Sequence, residues 1–403
     1  MTLSPQSVSD QPTIRLTPRA DARRIRFGAP WVFANDLVLD RRTKKLAPGT
    51  IARLEDAERQ FLAQVAVTPA SKIAARVLDR SEEAVIDGDW IAARITRAAA
   101  LRARIYDAPF YRLIHAEADG MPGVVIDRFG DHAVVQPNAA WADARMPEIT
   151  SALQGIGITS VIMNGTGRAR ALEGLPEGRD VICGTAPDAP IPVPMNGATY
   201  MADLMGGQKT GLFYDQRPNH AFAQTFAKDA RVLDVFSHVG GFGLAALAGG
   251  AVHLTCVDGS APALALAQAG ADAMGREIDT RQGDAFDVMT GMAEAGEVFD
   301  VVICDPPAFA PAKPALEAGL RAYERVARLA APLVAPDGIL GLCSCSHAAD
   351  LSKFRASSLR GLGRAGRSAQ ILHTGAAGPD HPTHPALAES GYLKAMFLRL
   401  GAP

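Results

Sequence analysis

The chain has 403 residues, too many for one core, and its 48% hydrophobic and 21% charged content excludes a disordered chain. No run approaches ~18 uncharged apolar residues and Met1–Gln11 is polar, which speaks against a membrane span or signal peptide and predicts a soluble, cytoplasmic protein. A net charge of −2 speaks against non-specific coating of nucleic acid, and five cysteines, an odd number clustered late, do not form a disulfide framework.

Charge is unevenly spread. Pro12–Lys45 holds nine basic residues against three acids, a local balance of +6 that fits either a solvated face or a phosphate-contacting patch. Thr13 to about Trp90 predicts a small β domain, with runs at Thr13–Leu16, Ile51–Leu54, Phe61–Val67 and Ala74–Val77 separated by turn signals. Gly28–Phe33 supplies an aromatic anchor with Trp31 in the core, and Asp87–Ala100 turns helical. A second unit from about Ala98 to Pro194 has strand candidates at Tyr111–Ala116, Val124–Arg128, Ala133–Gln136, Ser160–Asn164 and Val181–Cys183, with one helix, Trp141–Leu153. It shows no nucleophile, metal or phosphate motif, which leaves a structural or substrate-positioning role. Pro187–Gly197, with four prolines and a glycine, reads as a linker or domain boundary.

The third unit begins with a polar turn, Gly206–Arg217, expected to form a lid; it does not satisfy the P-loop pattern. Arg231–Ser260 then reads as strand, glycine-rich turn, helix, strand, which is half of an open parallel α/β sheet with a nucleotide-like ligand at its carboxyl edge. Gly241–Ala246 fits G-x-G-x-x-A, the dinucleotide fingerprint. Asp234 at the strand end repels a pyrophosphate but suits the ammonium of S-adenosylmethionine, whose ribose hydroxyls Asp258 can accept. A helix at Ala261–Met274 leads to Asp284, a helix at Val288–Ala295 follows, and the buried strand Phe299–Cys304 ends in Asp305-Pro306-Pro307. The prolines hold the carboxylate rigidly, which suits the amine edge of a nucleobase. An arginine-rich helix (Ala315–Leu329) and strands at Gly338–Cys345, Ser368–His373 and Tyr392–Leu400 complete the chain.

Cys343 and Cys345 are two apart, so on a strand they share a side with His347. Three roles compete: a metal site completed by Cys304, His381 or His384, an inert buried pair, and a thiolate nucleophile at a strand end. Here the chain resembles a known family. Gln208-Lys209-Thr210-Gly211 with Asp215-Gln216-Arg217, Leu233–Ser237 with Gly240-Gly241-Phe242, Asp305–Phe309, Ser344–His347, and Pro379–Pro382 with Tyr392-Leu393-Lys394 look like the bacterial class I 23S ribosomal RNA cytosine-5 methyltransferases that carry an N-terminal PUA domain.

The resemblance covers nearly the whole chain and is most specific in its second half. It implies a Rossmann-like class I S-adenosylmethionine methyltransferase fold, mostly parallel and seven-stranded, at residues 195–403, preceded by a PUA-like RNA-binding domain at 12–90 and a small α/β domain at 98–194. It implies S-adenosyl-L-methionine held by Asp234, Ser237, Gly240, Gly241, Asp258, Asp284, Asp305 and Pro306. The target cytosine of 23S ribosomal RNA, single-stranded or flipped, would meet Lys209, Gln216, Arg217, Pro307 and Phe309, with Asp305 and the nucleophile Cys345 catalytic and no metal. A homodimer is left open. Two departures stand out: Pro307-Ala308 offers no second cysteine to release product, and Gln268–Ala271 lacks the family's asparagine. The alternatives are transfer to an exocyclic amine (guanine N2 or adenine N6), which needs no cysteine, and a non-catalytic ribosome-assembly protein.

Overall fold

The computed structural model describes residues 11–207 and 211–402. Contacts divide the chain into two compact units, one running to Asp188 with Leu204–Gly211 and Pro379–Ser390, the other holding Ala189–Asp203, Leu212–Gly378 and Gly391 onward.

The first unit opens with strands β1 (Thr13–Arg15), β2 (Trp31–Phe33), β3 (Thr50–Glu55), β4 (Phe61–Val67) and β5 (Ile73–Asp79), in sheet order β1-β3-β4-β5-β2. Ile14, Val32, Leu54, Val65 and Val77 pack there against Ile25 of the short helix α1 (Ala22–Arg26). Trp31, expected in the core, is only half-buried, because its indole N–H reaches Glu117 Oε1 at 2.8 Å and draws the ring to the edge. Helix α2 (Gly88–Ala103) starts where the Asp87 carboxylate accepts the Trp90 amide.

A second sheet follows, β6 (Phe110–His115), β7 (Val124–Phe129), β8 (His132–Pro137), β9 (Ser160–Asn164) and β10 (Arg179–Cys183), ordered β10-β9-β8-β7-β6. The single helix expected at Trp141–Leu153 is two, α3 (Ala140–Asp143) and α4 (Met146–Gly155), because Pro147 sits in the first turn of a new helix; α5 (Arg168–Leu172) comes later. Ile51, Ala66 and Leu78 share a core with Ile91, Leu113 and Trp141, so the two sheets are not independently packed.

The expected linker or boundary does hold the division between the units, at Asp188/Ala189, but the rest of it is not a linker. Ile191-Pro192-Val193-Pro194-Met195 is strand β11, paired with β12 (Ala198–Ala202) around Asn196 (φ 53°) and Gly197 (φ 74°). Two left-handed residues make a tight hairpin turn, and a two-stranded ribbon leaves each proline an edge where its missing N–H costs nothing.

The main sheet comprises β13 (Arg231–Val235), β14 (His253–Asp258), β15 (Asp279–Gln282), β16 (Phe299–Cys304), β17 (Val334–Ser344), β18 (Ala369–Gly375) and β19 (Lys394–Leu400). Their order is β15-β14-β13-β16-β17-β19-β18, with the first five parallel and β19 antiparallel to both neighbours. Helices α6 (Arg217–Gln224), α7 (Gly241–Ala248), α8 (Ala261–Ala273), α9 (Ala285–Glu294), α10 (Leu316–Ala330) and α11 (Leu351–Arg364) accompany it. The central strands read as unbroken apolar runs because both faces of a parallel sheet are covered. The chain winds outward from β13 to β15 and then returns to β16, so the order reverses between β13 and β16, the place where such sheets bind ligands.

Candidate active site

The turn after β13 is built from left-handed residues at alternate positions, Phe236 (φ 61°), His238 (φ 50°) and Gly240 (φ 81°). A bulky aromatic in that region is a strained backbone, of the kind found at functional turns. Ser237 is buried between them; its N–H donates to Val257 O at 3.0 Å, and its carbonyl accepts from the amides of Gly240 (2.8 Å) and Gly241 (3.3 Å). Gly241 is required by proximity, since a Cβ there would lie 2.9 Å from His220 Nε2, while Tyr200 Oη donates to the Gly241 carbonyl at 3.0 Å. Burial holds the His220 imidazole down at about 3, so this support stays neutral.

Three carboxylates line the ends of the next strands. Asp234, fully buried in β13, accepts the Gly243 amide on Oδ2 at 2.7 Å, while its Oδ1 has no partner among the described residues. Burial lifts the Asp234 carboxyl to about 7; the α7 amides oppose this and Asp258 adds to it. Asp258 accepts from His238 N at 2.9 Å and Ser260 N at 2.8 Å, spending one lone pair of each oxygen. Asp284 is exposed and caps α9 through Oδ1, taking the amides of Phe286 (2.9 Å) and Asp287 (3.2 Å).

These residues fit S-adenosylmethionine: the orphaned Asp234 oxygen suits a cationic donor, and the remaining lone pairs of Asp258 suit hydroxyls. A pyrophosphate would instead meet three acids. This disfavours the dinucleotide alternative.

On the other side of the switch point, Asp305 follows β16, half-buried, with its N–H donating to Val235 O at 3.2 Å. Its Oδ2 accepts from Gln216 Nε2 at 2.9 Å, and Gln216 Oε1 accepts from Asn219 at 2.6 Å. Gln216 is therefore buried, with its amide orienting the carboxylate. Pro306 is buried and Pro307 exposed, and Phe309 joins a ring cluster with Tyr323 (5.1 Å), Phe286 (6.2 Å) and Phe236 (6.5 Å). Arg217 opens α6, half-buried. Lys209 lies outside the described residues.

Cys345 follows the last residue of β17 and is half-buried, whereas Cys256, Cys304 and Cys343 are buried and burial pushes their thiols up. The serines flanking Cys345 are bolted down: Ser344 Oγ donates to Tyr323 Oη at 2.9 Å, Tyr323 Oη and Ser346 Oγ are 2.6 Å apart, and the Ala310 amide donates to Ser346 Oγ at 2.9 Å. The thiol thus sits on a fixed backbone whose neighbour Ser346 is bonded to the loop that follows Pro306-Pro307. His347 packs on Tyr392 (5.6 Å between rings), whose hydroxyl donates to Asp215 Oδ2 at 2.6 Å. His381, considered above as a metal ligand, belongs to the first unit, where Nδ1 lies 3.0 Å from Asp380 Oδ1. Tyr323, Asn219 and His220 carried no sequence signal; each is an ordinary helix residue until the fold brings it to a strand end.

Comparison with known proteins agrees with this geometry. Residues 182–399 match the family described as S-adenosylmethionine-dependent methyltransferase, and residues 14–80 match a PUA-like domain. A methyltransferase structure from Streptococcus mutans superposes with a TM-score of 0.80 at 19% identity, covering 96% of this chain and 100% of that one, so the fold is shared. Fold and site therefore define an S-adenosylmethionine-dependent methyltransferase. Proteins named ribosomal RNA large subunit methyltransferase I are similar over nearly the whole length: 34% identical in Aeromonas salmonicida (92% of this chain, 95% of that protein), 36% in Tolumonas auensis (92% and 95%) and 34% in Vibrio cholerae (96% and 99%). The chain belongs to that family.

Proposed function

We propose that this protein methylates carbon 5 of a cytosine in 23S ribosomal RNA through a transient bond to Cys345. The observation that carries the reading is the half-buried thiol on a rigid backbone at the sheet's carboxyl edge, in a unit whose other cysteines are buried. S-adenosylmethionine supplies an electrophilic methyl group. Cys345 adds to carbon 6, its sulfur forming the new bond while the ring's 5,6 double-bond electrons become available at carbon 5. Asp305, aimed by Gln216, hydrogen-bonds the base edge and stabilises the charge that develops there. Once carbon 5 carries the methyl group, loss of its proton to a base returns the electrons to the ring and expels the thiolate. Only an unpaired or flipped base reaches such a site.

In the same reading, residues 12–90 form a PUA-like module that engages RNA, 98–194 a small α/β middle domain with a structural or substrate-positioning role, and 195–403 the methyltransferase domain. Arg23 and Arg24 on α1 are exposed beside Phe27, which is 84% exposed, and this pairing of cations with a bare ring suits phosphates and an unstacked base. The sequence overstated the charge of this region, because Arg15 and Arg26 are ion-paired with Glu55 and Asp56, acids just outside the basic stretch.

Transfer to an exocyclic amine would use Asp305-Pro306-Pro307 without any thiol. Mass spectrometry of large-subunit RNA from cells lacking the gene and complemented with wild type or Cys345→Ala separates the two. Restoration of 5-methylcytosine by wild type alone supports the proposal, and equal restoration by the variant overturns it.

A further inference from the structure

The end of β17 that precedes Cys345 also meets a lysine without a carboxylate partner. Antiparallel pairing sets Ser344 opposite Lys394, the first residue of β19, and Cys345 follows Ser344 directly where the strand ends. Lys394 is only 8% exposed, and its Nζ donates to the Ser346 carbonyl at 2.6 Å, one residue beyond Cys345. Among the described residues no carboxylate lies within ion-pair distance of it. Asp350, the acid whose field reaches it from the start of α11, is itself paired with Lys353.

Burying an ammonium without an anion is costly. Burial pushes Lys394 down to about 8, and Cys345 is the foremost group opposing that shift. Other ionisable groups around this strand end are Tyr323 on α10, whose phenol is raised by burial, Asp305 at the end of β16, and His347 with Tyr392, whose rings pack on each other. The phenols and the carboxylate cannot serve as a cation, and the His347 ring is turned to Tyr392. A free thiol is only a few per cent ionised near neutrality, and an adjacent cation is the usual means of raising that fraction.

We propose that Lys394 is the positioning residue of the nucleophile: its ammonium is the counter-ion of the Cys345 thiolate, holding it ionised before attack and receiving it again when product leaves. The thiol proton goes to solvent, and Lys394 keeps its own protons throughout. This rests on Cys345 being the nucleophile.

Iodoacetamide tests the pair, because it alkylates thiolates. Modification of Cys345 is followed by peptide mass in the full-length protein across roughly pH 5 to 10, either side of a free thiol's midpoint. Wild type should show a midpoint about one pH unit below that of Lys394→Met, so near neutrality the variant reacts about tenfold more slowly, with Lys394→Arg recovering most of the rate. Equal midpoints in a Lys394→Met protein that still binds S-adenosylmethionine overturn the proposal. If Lys394→Met does not fold, Cys345→Asp against Cys345→Asn decides: the fixed carboxylate should melt well above its neutral isostere, and equal melting overturns the pair. Failure of the underlying nucleophile reading is distinct, since it shows as RNA methylation by Cys345→Ala and leaves the wild-type alkylation midpoint unchanged.

Discussion

Asp234 combines complete burial, one bonded oxygen and one orphan, and its effect on stability has a definite sign. Its folded carboxyl is raised from 3.8 to about 7, so the stability it contributes is fully present below the unfolded value and is lost as pH climbs through about 7. Asp234→Asn lacks that cost, and even after an orphaned amide is charged against it the variant should be more stable than wild type by roughly 1–3 kcal/mol at pH 8, the gap closing toward pH 5. The same change should weaken S-adenosylmethionine binding at least about tenfold, since a charge-assisted contact is lost. Thermal melts against pH and calorimetry check both; a variant that melts below wild type at pH 8 contradicts the account. The placement of Asp234, Asp258, Asp305 and Cys345 at strand ends was legible in the sequence because each closes a strand-like run. Gln216 was read as facing substrate, and only the fold shows its amide turned to Asp305. The left-handed Phe236 was equally hidden, since no residue type announces strain.

Elements with a strong apolar period were legible almost to their ends: Phe61–Val67 and Ser160–Asn164 were read with the boundaries the structure shows. Those without one were not. The edge strand β15 reads Asp-Thr-Arg-Gln, with no apolar alternation to detect, and β11 was hidden by prolines that normally exclude strands. Helix α8 gives a prediction in which two local rules conflict. Ala is a better helix former than Gly by roughly 1 kcal/mol, so propensity alone would make Gly270→Ala stabilising. A Cβ at Gly270, however, would lie 2.7 Å from Leu244 Cδ1 and 2.8 Å from the Thr199 carbonyl of β12, and backbone does not move aside cheaply. Packing should win, with Gly270→Ala destabilised by about 1–2 kcal/mol net in urea titration; a stabilised variant would show that α8 is free to shift.

At the scale of the whole molecule, the shared core of the first unit decides how RNA engagement can be tested. Removing residues 1–90 would strip Ile51, Ala66, Leu78 and Trp90 from their packing with Leu113 and Trp141, so truncation confounds binding with folding. Point substitutions avoid this. Arg23→Ala with Arg24→Ala should reduce the salt slope of RNA binding by about 1.4, whereas Phe27→Ala should weaken binding by roughly 1–3 kcal/mol with the slope unchanged, because stacking releases no counterions. S-adenosylmethionine affinity should not change in either; a flattened slope for Phe27→Ala would remove the ring from the contact surface. The central claim, covalent catalysis by Cys345, is met most directly by RNA carrying 5-fluorocytosine at the target position. Fluorine cannot leave carbon 5 as a proton does, so the addition product accumulates, and peptide mass mapping should find RNA bonded to Cys345 in wild type and to nothing in Cys345→Ala. An adduct on the buried Cys343, or complete methylation of unmodified RNA by Cys345→Ala, would contradict it.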